Sequence, residues 1–128
     1  MNLLLDTHTF IWWACEPEKF SKKVLRACEN KTNDLILSVA SVWEMQIKLQ
    51  LGKLELGHPL KDLISKQQDT NNLQILSISL SHVLALENLP AHHRDPFDRL
   101  LIAQAIEENL RLVSKDRVFS HYSVESFW

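Results

Sequence analysis

The run Leu3-Leu4-Leu5 passes without a polar break into Asp6. A short run with leucine on both sides of an extended chain looks like a strand buried on both faces, which requires helices above and below a sheet. Later stretches repeat the pattern. Further strands are expected at residues 35–37, 73–78 and 111–114, with a fifth over 122–127. Between them the apolar spacing predicts helices over 9–15, 21–30, 38–51, 60–68, 81–89 and 95–109. The last of these opens on Asp95 as a cap followed by a first-turn proline, Pro96. Strands and helices alternating in this order build an α/β domain with a central, mostly parallel sheet of four to five strands in three α/β/α layers. One domain over residues 1–128 is expected, because a chain of this length buries a core without staples.

Composition removes several functional classes. The formal charge of −2 is no sleeve for nucleic acid, so any such contact must be local. Cys15 and Cys28 form no CxxC pair and read as spare or buried thiols in a reducing compartment. Residues 3–5 are too short for the apolar core of a signal peptide, and no apolar run reaches the roughly 20 residues of a membrane span. A cytoplasmic protein with no membrane contact is expected. The two glycines, Gly52 and Gly57, stand in no GxGxxG setting, which excludes a dinucleotide loop.

In an open parallel sheet, ligands bind beyond the carboxyl ends of the strands, where strand order reverses. Asp6 ends the first strand and Asp116 follows the fourth, so the two meet if the reversal falls between those strands. Glu44, early in the third helix, and Asp98, in the first turn of the last one, can lean over the same edge. Each acid has a plainer reading. Asp6 can be solvated at a strand end, and Glu44 can complete a capping box with Ser41 or pair with Lys48. Asp116 can cap the turn that follows it. Asp98 shares a stripe with Ile102 and Ala105, where a carboxylate needs a partner, whereas Asp95 is best explained as a cap. Four converging carboxylates without a glycine loop or cysteine suit a hard cation, Mg²⁺ or Mn²⁺, acting on a phosphodiester.

With those four acids assembled, the chain resembles the PIN domain nucleases, and more closely the VapC type toxins of bacterial toxin-antitoxin modules. The resemblance rests on LLLDTHTF, SVWEMQIK, HRDPFDRLLIAQA and LVSKD, spread over essentially the whole chain. It implies a PIN-like fold, acidic metal ligands at Asp6, Glu44, Asp98 and Asp116, and a supporting hydroxyl at Thr7, with Asp95 and Ser114 as further supporting residues. It also implies a Mg²⁺ or Mn²⁺ dependent endoribonuclease held inactive by an antitoxin, acting on structured RNA such as transfer RNA. Lys48, Arg94, Arg99, Lys115 and Arg117 surround the acids and are candidates for RNA contact. His8 is read as structural rather than as a substrate contact.

Other readings meet obstacles. A dehalogenase-type phosphatase would need D-x-D where His8 stands, and a signalling receiver would need an acidic pair beside Asp6. A non-catalytic α/β signalling or RNA-binding domain keeping an acidic cation site is the remaining alternative. Adjacent His92 and His93 should point apart and have no partner at metal spacing, which argues against zinc. The run Phe10-Ile11-Trp12-Trp13 covers nearly every side of a helix, so part of it is expected to meet another chain in a homodimer or an antitoxin complex.

Overall fold

A computed structural model describes all 128 residues. The order is β1 (Asn2–Leu5), α1 (Thr7–Cys15), α2 (Lys22–Glu29), β2 (Asp34–Ser38), α3 (Val39–Gln50), α4 (Leu60–Asn71), β3 (Gln74–Leu76), α5 (Leu80–Ala85), α6 (Pro96–Glu107), β4 (Arg111–Val113) and β5 (Ser126–Phe127). The strands lie in the order β3-β2-β1-β4-β5, and every pairing is parallel. β1 is therefore central, and chain order reverses between it and β4, with Leu5 beside Val113.

The alternating side chains of β1 build two separate cores. Leu3 and Leu5 join Leu35, Leu37 and Val113 beneath α1, α2 and α3, together with Phe10, Val24 and Met45. Leu4 faces the other way, with Ile36 and Leu112 against Leu101, Ile102 and Ala105 of α6. Each such buried leucine contributes roughly 1.5–3 kcal/mol, and loss of either helical layer would expose one whole face of the sheet. The result is the expected three-layer arrangement.

Several boundaries shift for local reasons. α1 starts at Thr7, two residues earlier than predicted, because Asp6 itself caps it and accepts the Thr9 N–H at 2.8 Å. The cap of α3 is Ser38, so no Ser41–Glu44 capping box forms. That helix ends at Gln50, as expected just before Gly52, whose φ of +70° a residue with a side chain adopts only under strain. β3 shrinks to three residues at an exposed edge, and β5 to two, because Tyr122 caps the 3₁₀ turn Arg117–His121 and the chain pairs with β4 only at Ser126 and Phe127.

The aromatic run of α1 is covered only in part from within its own chain, with Ile11, Trp12 and Trp13 left half-buried. Phe10 is buried, Trp13 stacks on Phe20 at 5.6 Å, and Trp12 meets the edge of Trp128 at 5.5 Å. The large apolar side chains left most open to solvent lie elsewhere: Trp43 on α3, Leu51 just beyond its end, and Leu80 and Leu84 on α5. No helix is long and apolar enough to cross a membrane.

Candidate active site

Asp6 lies at the sheet's reversal point, 6% exposed, with its backbone N–H bonded to the Val113 carbonyl at 3.2 Å. Its side chain accepts the Thr9 N–H on one oxygen and the Ser114 hydroxyl on the other. Burial pushes its carboxyl pKa above the ordinary 3.8, and those hydrogen bonds offset only part of the rise. Ser114 in turn accepts the Asp116 N–H at 3.0 Å, so one serine joins Asp6 to the loop after β4. Asp116 is exposed and caps the next turn through the Val118 N–H at 3.0 Å. Asp6, His8, Thr9, Trp12, Lys115 and Asp116 line a cleft of about 330 Å³. A larger cleft, about 770 Å³, opens at the amino ends of the strands among Met1, Asn2, Asn109, Arg111 and Glu125, and it gathers no cluster of carboxylates.

Thr7 extends the site toward α3. Its Oγ1 donates to Glu44 Oε1 at 2.7 Å and lies 3.0 Å from Ser41 Oγ. The other Glu44 oxygen pairs with Lys48 Nζ at 2.9 Å, one helical turn on. Glu44 is 6% exposed, so both partners bond to a carboxylate largely removed from water. Trp43 packs edge-on against Phe97 at 5.1 Å, which brings α3 to the start of α6.

At that start, Asp95 Oδ1 accepts the N–H groups of Phe97 and Asp98 at 2.8 and 3.0 Å, the cap that its place before Pro96 predicted. Asp98 therefore sits in the first turn, where the helix dipole favours negative charge. Its carboxyl is nevertheless pushed up to about 6, chiefly by burial, with Asp95 and Glu44 adding repulsion. The His93 ring opposes that rise, with Nε2 2.7 Å from Asp98 Oδ2. Asp116, Ser114, Asp6, Thr7, Glu44 and Asp98 thus follow one another along the carboxyl edge of the sheet.

The cations divide. Arg94, Lys115 and Arg117 are exposed, and the Lys115 ammonium stands 6.0 Å from the centre of the Trp12 ring. Lys48 is half-buried on Glu44. Arg99, expected on the same rim, instead turns its guanidinium to the carbonyls of Pro90 at 3.0 Å and of His93 and Leu86 at 3.4 Å. Sequence reasoning missed His93. Its ring nitrogen, Asp95 and Asp98 offer ligand atoms within 4.8 Å of one another, despite the absence of any regular metal spacing.

The donor set suits a hard divalent ion: carboxylate oxygens dominate, and a cation would neutralise the mutual repulsion of Asp98, Asp95 and Glu44. Comparison with known proteins bears on the same surface. The model of the PIN domain matches residues 3–125. Ribonuclease VapC22 of Mycobacterium tuberculosis is 32% identical over 117 residues, covering 91% of this chain and 88% of that protein. Among solved structures, VapBC2 from Rickettsia felis bound to a DNA fragment from their promoter aligns at TM-score 0.70 and 17% identity, over 99% of this chain and 98% of that one. FitAcB from Neisseria gonorrhoeae aligns at TM-score 0.65 and 18% identity, over 98% and 96%.

Proposed function

The chain belongs to the PIN domain family, and from that premise we propose that it is an endoribonuclease toxin that hydrolyses RNA phosphodiesters with Mg²⁺ or Mn²⁺ and is restrained by a cognate antitoxin. One observation carries the reading. Four carboxylates, two on the helices α3 and α6 and two just beyond the ends of β1 and β4, follow one another along the carboxyl edge, and the protein neutralises them only in part. The likeness to a ribonuclease over nine-tenths of the chain supports the substrate class, and the likeness to VapBC2 supports the partner.

Asp6, Glu44, Asp98 and Asp116 would hold the ion, which when bound activates water and stabilises charge on the phosphate under attack. The remaining residues orient this set. Thr7 fixes one oxygen of Glu44, Ser114 fixes Asp6 and the loop carrying Asp116, and Asp95 caps the helix that presents Asp98. Lys48, Arg94, Lys115 and Arg117 supply positive charge for RNA phosphates around an acidic centre. Arg99 serves that rim indirectly by holding the loop before α6. The substrate is RNA, with transfer RNA the first candidate.

A homodimer completes the proposal. α5 presents Leu80, Val83 and Leu84 to solvent at one-turn spacing, an apolar stripe that its own chain leaves uncovered.

The two acids at the start of α6 separate ligand from cap, and cleavage in Mn²⁺ by the chain freed of antitoxin tests the assignment. Asp98→Asn keeps the shape and removes a charged ligand, so cleavage is expected to fall roughly a thousandfold or more. Asp95→Asn keeps a competent cap and is expected to cleave at close to the parental rate. Parental activity in Asp98→Asn would reject the acidic-site mechanism.

A further inference from the structure

His93 lies in no helix or strand and opens the HRDPFDRLLIAQA stretch without being one of its acids, yet the fold holds it on Asp98. The neighbouring residue does the holding. Arg99 follows Asp98 on α6 and reaches back with its guanidinium to the carbonyls of Leu86, Pro90 and His93 itself. The helix that presents the carboxylate therefore also grips the loop that presents the ring. At the point of contact His93 Nε2 is 2.7 Å from Asp98 Oδ2, while Asp98 Oδ1 has no hydrogen-bond partner in the protein. An ionised carboxylate only accepts, so the ring must donate.

We infer that His93 is a positioning residue for the metal ligand Asp98, holding Oδ2 through its ring N–H so that Oδ1 is presented to the ion. The inference rests on the reading of Asp98 as a metal ligand. Three observations support it. Asp98 sits in the first turn of α6, and no side chain other than the His93 ring bonds its carboxylate. Its neighbours Asp95 and Glu44 repel it, so a free carboxylate would turn away from them. The ring is only a quarter exposed, so it is held in place with little solvent around it. Partners of this kind fix the orientation of a ligating carboxylate, and their removal commonly lowers metal affinity by about 10–100-fold.

Mn²⁺ binding to the RNA-free protein, followed by electron paramagnetic resonance of the unbound ion, tests this without reference to cleavage. His93→Ala is expected to weaken Mn²⁺ about tenfold or more. His93→Gln keeps an amide donor and is expected to retain clearly more affinity than the alanine variant. In an Asp98→Asn background, His93→Ala should cause no further loss, because its role acts through the carboxylate already removed. Thermal melting of the metal-free variants is the control for folding. Parental affinity in His93→Ala, equal weakness in the Gln and Ala variants, or full additivity in the double variant would each overturn the positioning role. Failure of the underlying reading looks different: Asp98→Asn would then bind Mn²⁺ as the parent does.

Discussion

Thr7 donates its hydroxyl to Glu44 across 2.7 Å, joining the first residue of α1 to the middle of α3. Because Thr7 directly follows Asp6, this bond couples the strand-end acid to the helical one. Both partners are buried, so neither can turn to water when the other is removed.

Thr7→Val keeps the branched shape and deletes only the donor. Glu44 would be left with Lys48 on one oxygen and nothing on the other. The expected cost is about 1–3 kcal/mol of stability, as for a buried charge that loses one hydrogen bond. Urea unfolding of the metal-free protein at neutral pH measures it. An unchanged midpoint and slope would show that the hydroxyl does not support the carboxylate.

Asp98 makes stability depend on pH. Its pKa is about 6 in the folded protein against an ordinary 3.8, so between those values the folded state holds a proton that the unfolded chain has lost. The favourable contribution is complete below about pH 4 and is lost as pH rises through 6. With 21% of the side chain exposed, screening reduces the effect to on the order of 1–2 kcal/mol. Burial of Asp6 shifts its pKa in the same direction and adds to the loss. Metal-free Asp98→Asn should therefore melt higher than the parent at pH 7.5 and lose part of the advantage at pH 4.5. An Asn variant that melts below the parent at pH 7.5 would contradict the assigned shift.

The aromatic face of α1 is an expected site of a partner, and its own chain covers it only in part. Phe20 and Trp128 pack against Trp13 and Trp12, which stay partly exposed, and a second, more open apolar stripe lies on α5. Leu84→Glu places a charge on that stripe and is expected to convert a dimer into a folded monomer, read by light scattering. A parental dimer in the Leu84→Glu variant would exclude α5 from the interface.

These outcomes mark what was legible in the residues themselves. Leu3 to Leu5 could be read as a central strand because leucine on both sides leaves no face for water, and Asp6 stood out as the first charge after it. Asp95 and Pro96 announced the start of α6 through local chemistry alone. The partial coverage of Trp12 and Trp13 was not legible, since it depends on where Phe20 and the distant Trp128 come to rest. The same holds for His93. Its bond to Asp98 depends on a loop path closed by Arg99 and three carbonyls, and backbone carbonyls have no sequence signature. Glu44 fell between these cases. Its pairing with Lys48 follows from helical spacing, whereas its bond to Thr7 required the helices to pack.

The chemistry of the cut ends tests the central claim most directly. RNA is incubated with the antitoxin-free protein and Mn²⁺, with and without chelator, and the termini of the products are identified. Hydrolysis by activated water leaves a 5′-phosphate, is abolished by chelator and returns when Mn²⁺ is added back. Products ending in 2′,3′-cyclic phosphate, formed equally well in chelator, would mean that the RNA's own 2′-hydroxyl attacks and that the carboxylate cluster does not hold a catalytic metal.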